Sequence, residues 1–153
     1  NIKGVQVTSV PLKHRLPTCG SIFREQPKEP NVIKNAIYKQ YQEAFADIED
    51  ISMNPMNSDG DSNCWLSCIT LSEGCKVTPN QIMDALEAEN MESRPIWKPM
   101  HLQPVYEGND FITTEDNSSV GEDIFNRGVC LPSDIKMTEE ELQKVIGIIK
   151  SLF

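Results

Sequence analysis

A chain of 153 residues has the length of one domain and buries about two-thirds of its unfolded surface on folding. Its content of 39% hydrophobic and 24% charged residues excludes a largely disordered polymer. With 14 basic against 23 acidic residues the net charge is -9, so the positive field that gathers phosphates along a duplex is missing and nucleic acid is excluded as a partner.

No apolar run approaches the roughly 20 residues of a spanning helix. The longest, Val145 to Ile149, is broken by Gly147, so no membrane partner is expected. Cys19, Cys64, Cys68, Cys75 and Cys130 are odd in number and scattered, which argues against a disulfide framework and for the reducing cytoplasm. The start Asn1-Ile2-Lys3-Gly4 carries neither an initiator Met nor the apolar core of a signal peptide, and reads as a processed end or as part of a longer chain.

Residues 1–28 contain Pro11, Pro17 and Pro27 and the basic cluster Lys13-His14-Arg15 without a helical period, and are expected to form an irregular arm. A short strand over Val5 to Val10 is open there because the residues are β-branched. From Asn31 to Ile48 the apolar residues Ile33, Ala36, Ile37, Tyr41, Ala44, Phe45 and Ile48 recur at helical steps. Ile51 to Met53 and Trp65 to Leu71 read as two paired strands around the polar turn Asn54 to Asn63.

Thr78-Pro79-Asn80-Gln81 is a capping box with proline at the first helical position, so a helix runs from Pro79 to about Glu89 with Ile82, Ala85 and Leu86 buried. Ser119-x-x-Glu122 opens a short helix that Gly128 closes, and Gly128 to Pro132 reads as a brief buried strand or turn. Thr138-x-x-Glu141 caps the last helix, whose stripe is Leu142, Val145, Ile146, Ile149, Leu152 and Phe153. The order of elements specifies an α+β fold, a small sheet covered by helices, with the helices near 31–48, 79–89 and 138–153 on one face.

Chemistry concentrates in Glu92 to Tyr106. Pro95, Pro99 and Pro104 forbid a regular helix there, leaving an extended, stiff loop that gathers Arg94, Trp97, Lys98, His101, Gln103 and Tyr106 in an acidic chain. Such a set suits an anionic ligand with a ring; the alternative is a surface loop in which Trp97 plugs the core and Arg94 pairs with Glu92. His14 and His101 are too far apart in sequence to form a metal site by themselves, and no Cys-x-x-Cys occurs. Cys64 and Cys68 flank a strand on one face and read as buried structural thiols. Asp59-Gly60-Asp61 is a turn without the spaced ligands of a calcium loop.

The run Ser93-Arg94-Pro95-Ile96-Trp97-Lys98-Pro99-Met100-His101-Leu102-Gln103-Pro104-Val105-Tyr106, then Gly128-Val129-Cys130-Leu131-Pro132-Ser133, then Thr138-Glu139-Glu140-Glu141, closely resembles the C-terminal end of the DegT/DnrJ/StrS sugar-nucleotide aminotransferases. The resemblance extends over Glu29 to Phe153, which it implies to be the small domain of a fold-type-I aminotransferase. It implies a homodimeric parent enzyme that uses pyridoxal phosphate to exchange a keto group for an amine on a UDP-linked 4-keto sugar in surface-glycan biosynthesis. By the same resemblance Arg94, Trp97, Lys98 and His101 bind substrate, Arg94 or Lys98 meeting an anionic group and His101 reaching the sugar.

The family's Schiff-base lysine, its acidic partner and its phosphate cup lie in a preceding, larger domain, and no lysine here matches the cofactor lysine. The chain alone is therefore expected to bind no pyridoxal phosphate and to be inactive. The rival expectation is a stand-alone, non-catalytic domain that binds a sugar nucleotide or mediates dimerisation.

Overall fold

A computed structural model describes residues 28–113 and 119–153 of the chain. The element order is α1 (Lys28–Phe45), β1 (Ile51–Met53), β2 (Ser67–Leu71), α2 (Pro79–Glu87), β3 (Arg94–Pro95), two 3-10 turns (Met100–Leu102 and Pro104–Tyr106), α3 (Val120–Arg127), β4 (Gly128–Leu131) and α4 (Glu139–Lys150). The expected arm and its open strand over Val5 to Val10 fall outside the described residues, except that α1 already begins at Lys28.

The four strands form one antiparallel sheet in the order β1-β2-β4-β3. Ser67, Ile69 and Leu71 alternate inward along β2, with Ile69 opposite Val129 and Ser67 opposite Leu131. Ile51, Ile69, Leu71, Val129 and Leu131 share one buried cluster with Ile37, Tyr41 and Phe45 of α1, Ile82 and Leu86 of α2, and Leu142, Val145, Ile146 and Ile149 of α4. Three helices therefore cover one face of the sheet, as the apolar stripes require.

Both capping boxes are closed. Thr78 Oγ1 accepts from the Gln81 amide at 3.3 Å while Gln81 Oε1 accepts from the Thr78 amide at 2.8 Å, and Thr138 with Glu141 repeats the exchange at 3.2 and 2.8 Å. Each satisfies two amides that the first helical turn leaves without partners.

Three expectations need correction. The stripe of α1 is rotated: Ile33 is 41% exposed and Ala36 is exposed, whereas Tyr38 is buried. Burial of Tyr38 is tolerated because its hydroxyl donates to the Asn54 carbonyl at 2.6 Å. The helix also stops at Phe45, where turns closed by Ile48 N to Phe45 O and Ile51 N to Ile48 O deliver the chain into β1.

Second, β2 begins at Ser67, two residues later than the run from Trp65. Its partner β4 ends at Leu131, because Pro132 has no amide to continue the ladder. Third, Cys64 and Cys68 do not share a face. Cys64 lies before the strand at φ 45° with its thiol donating to Asn35 Oδ1 of α1 at 2.9 Å, whereas Cys68 lies opposite Cys130 on the face turned away from the core.

Gly128 closes α3 as expected. Its backbone is extended, φ -106° and ψ 151°, and it opens β4. Glycine is needed there for close approach: a Cβ would sit 2.4 Å from Ile96 Cγ1 and 2.5 Å from the Ile124 carbonyl oxygen. Gly128→Ala is expected to cost about 1–3 kcal/mol, the usual range for overpacking. Urea denaturation of the two proteins checks it, an unchanged midpoint contradicting the close approach.

Candidate functional site

The loop that carries the expected ligand residues leaves the sheet at its short outer edge. β3 is only Arg94 and Pro95, paired with Cys130 and Val129 of β4, and Pro95 has no amide to extend the ladder. Ile96 then packs over Gly128, and the chain turns outward into the two 3-10 turns, the second begun by Pro104. The stiff segment is thus extended at its start and tightly turned further on.

Trp97 is 64% exposed and does not plug the core. Its ring lies 6.1 Å from that of Trp65, itself 65% exposed, at a tilt of 37°. Arg94 does pair with Glu92, its Nε donating at 2.8 Å, but both side chains are about three-quarters exposed. Such a pair is worth at most about 1 kcal/mol and exchanges readily for another anion. Lys98 is exposed.

Arg94 and Trp65 line a cavity of about 770 Å³ together with Lys34, Ser93, Cys130 and Lys144. Lys34 crosses its wall, donating from Nζ to the Trp65 carbonyl at 3.1 Å and to the Ser133 carbonyl. The Ser93 hydroxyl, buried beside Arg94, has no hydrogen-bond partner.

His101 belongs elsewhere. Its ring stacks on Phe111 at 3.7 Å and 16°, and it lines a smaller cavity of about 420 Å³ with Met100, Tyr106, Asn109, Asp110 and Phe111. His101 Nε2 is buried without a hydrogen-bond partner, with the Glu122 carboxylate at ion-pair distance, Oε2 3.5 Å away. The structure therefore brings Arg94 to the large cavity and Trp97 against its rim at Trp65, and sets His101 apart. Trp65, Lys34 and Phe111 were not singled out as site residues from the sequence. Trp65 gave a signal there only as part of a strand, and nothing local marked the other two.

Helix α3 brings Glu122 toward His101. Ser119 caps it, accepting from the Glu122 amide at 3.2 Å, and Asp123 pairs with Arg127 one turn later. Arg127 also donates to the Leu71 carbonyl, which ties α3 to β2.

The described side chains do not fit a pyridoxal phosphate seat. A lysine that condenses with a carbonyl cofactor has to be a desolvated, free amine. Lys34 is held by two carbonyls, Lys144 pairs with Glu89, and Lys39, Lys76, Lys98, Lys136 and Lys150 are exposed. No chemical step through the cofactor is derived for these residues. Among the described residues no group of acidic, histidine and cysteine side chains could hold a metal ion, and no helix is long and apolar enough to cross a membrane.

The chain belongs to the DegT/DnrJ/EryC1/StrS aminotransferase family, whose sequence profile matches residues 25–150. EpsN of Bacillus subtilis (strain 168), whose name assigns it to the pyridoxal phosphate-dependent aminotransferases, is 40% identical over 120 residues, which are 78% of this chain and 30% of EpsN. GDP-perosamine synthase of Caulobacter vibrioides is 32% identical over 83 residues, 54% of this chain and 21% of that protein. The fold matches that of DesI, crystallised in the presence of its TDP-sugar product, with a TM-score of 0.70 and 18% identity over 81% of this chain and 31% of DesI. The chain spans about a third or less of the length of these relatives.

Arg127 holds the Asp123 carboxyl below its ordinary range, chiefly by hydrogen bonding to the ionised form. A pKa lowered on folding contributes stability above the unfolded value, about 3.9, and loses it as the pH falls through the folded value. Asp123→Asn is therefore expected to melt below the wild type at neutral pH, with the gap closing as the pH drops below about 4. Paired melting curves from pH 7 to pH 2.5 check the sign, and a gap that widens in acid contradicts it.

Proposed function

We propose that this chain is the small domain of a pyridoxal phosphate-dependent aminotransferase that replaces the keto oxygen of a nucleotide-linked sugar, a UDP-linked 4-keto sugar, with an amine. The enzyme is a cytoplasmic homodimer in surface-glycan biosynthesis, and the chain supplies part of the substrate site. Family membership supports the reaction class, and the names of GDP-perosamine synthase and of the DesI complex with its TDP-sugar support a nucleotide-linked sugar. Bound cofactor supplies the electron sink of such a reaction.

The observation that carries the substrate reading is the exposed Trp65–Trp97 pair beside Arg94. Two large aromatic faces left in water are unfavourable unless something covers them. A pyrimidine base covers one by stacking. Arg94, whose Nε and Nη2 both donate to the single Oε1 of an exposed Glu92, exchanges it for two phosphate oxygens held by parallel hydrogen bonds. Lys98 adds positive charge next to Trp97 in a chain of net charge -9. His101 is fixed by Phe111 and faces the sugar once the loop closes, a movement that three prolines make less costly in entropy.

Titration of the chain with UDP is expected to quench tryptophan fluorescence, with the change lost in Trp97→Ala and the affinity of Arg94→Ala lowered about 10-fold or more, as for loss of a charge-assisted hydrogen bond. No change in the folded wild type on adding millimolar UDP would sink the substrate reading. A separate expectation concerns competence. The purified chain with added cofactor is expected to take up no yellow colour and to show no glutamate-dependent conversion of a UDP-4-keto sugar; turnover by the chain alone would contradict it.

A further inference from the structure

The substrate reading leaves two thiols of the sheet unused. Cys68 of β2 and Cys130 of β4 are directly opposed in the antiparallel ladder, and their Sγ atoms are 3.5 Å apart. The backbone of Cys68 turns away from β4: its amide donates to Asn54 Oδ1 at 2.9 Å and its carbonyl accepts from the Asn54 amide at 2.9 Å. Cys68 and Cys130 therefore form a non-hydrogen-bonded pair, the kind whose Cα atoms approach to about 4.5 Å and whose side chains lie closest. A disulfide accepts Cα separations of about 4.4–6.8 Å, so the backbone needs no rearrangement to admit one.

We propose that Cys68 and Cys130 are an oxidative modification site, converted by a low-molecular-weight disulfide into a cross-strand disulfide and returned by a dithiol. Cys130 is buried but Cys68 is only half-buried, so a dissolved oxidant reaches the pair from the Cys68 side. The two thiols share an S–H···S contact in which either sulfur can donate. Whichever of them ionises is the attacking sulfur, with its partner already in reach.

The electrons balance in two exchanges. One thiol of the pair, as its thiolate, attacks one sulfur of the small disulfide, forming a mixed disulfide and expelling one thiolate. The other then gives up its proton and attacks the protein sulfur of that mixed disulfide, forming the Cys68–Cys130 bond and expelling the second thiolate. The protein loses two electrons and two protons, and one small disulfide becomes two thiols. The two sulfurs stand on the face away from Ile69 and Val129, so their closer approach leaves the core packing in place. Arg94 is the neighbour of Cys130 on its other side, so the bond stiffens β4 where the ligand loop departs.

The test uses the folded full chain in buffers of oxidised and reduced glutathione, quenched with acid, alkylated in denaturant, and read by intact mass and peptide mapping. The expected result is loss of two hydrogens, a peptide joining Cys68 to Cys130, and a melting temperature raised by about 10 °C that dithiothreitol reverses. Cys68→Ser and Cys130→Ser are each expected to lose the link and to go no further than a glutathione adduct on the remaining thiol. The proposal is overturned if both thiols of the folded wild type are still alkylated under excess oxidised glutathione, if the link joins either of them to Cys19, Cys64 or Cys75, or if it forms only after unfolding. None of these readouts involves UDP, so their failure is distinguishable from failure of the substrate reading.

Discussion

Burial of a single face of the β2–β4 pair is the constraint on which the other features depend. Ile69 and Val129 face each other at the centre of the sheet, fully buried, and α1, α2 and α4 close over them with Tyr41, Phe45, Ile82, Leu86, Val145 and Ile149. Each such side chain contributes about 1.5–3 kcal/mol relative to exposure. A one-residue slip of β2 would turn Ile69 outward and Cys68 inward, and the whole sum would be lost. The register is therefore held by packing, and the polar ends are held by groups such as Tyr41, whose buried hydroxyl donates to the Pro132 carbonyl at 2.8 Å.

With the helices committed to one face, the opposite face is free to carry different chemistry. Cys68, Cys130, Arg94 and Ile96 line up there, and Gly128 leaves the room that lets Ile96 lie flat on β4. The loop that follows is kept off the sheet by its prolines, because Pro95 and Pro99 cannot extend a ladder and Pro104 starts a turn instead. A short edge strand that ends in proline also offers little for another chain to pair with. The same arrangement leaves Trp97 beside Trp65 in water, a feature that core packing does not explain.

His101 shows how a residue next to these in sequence comes to a different place. Seven positions after Arg94 it has turned through the first 3-10 segment and stacks on Phe111. The cavity beside Arg94 draws instead on Lys34 of α1 and Lys144 of α4, residues distant from the loop along the chain. Charge around that cavity is mixed, since Glu89 binds Lys144 and Glu92 binds Arg94. A ligand anion has to displace carboxylates that are already there, and the exposed pair at Arg94 is the weakest of these contacts.

Local chemistry made much of this legible beforehand. The capping boxes at Thr78 and Thr138, the cap at Ser119, the stripe of α4 from Leu142 to Ile149, though not the exposed Phe153 beyond its end, and the strand-forming runs ending at Met53 and Leu71 depend on residues within one turn or one pleat of each other, so sequence by itself determined them. The runs Ser93 to Tyr106, Gly128 to Ser133 and Thr138 to Glu141, in that order, indicate the family. Tertiary structure decided what local spacing cannot encode: that Tyr38 rather than Ile33 is buried, that β2 loses Trp65 and Leu66 because its partner strand ends at Pro132, and that Gly128 answers to Ile96 and Ile124. It also decided that Cys68 meets Cys130, 62 positions away, and not Cys64. Each of these depends on which distant group arrives at a given face, and that is set by closing the core as a whole.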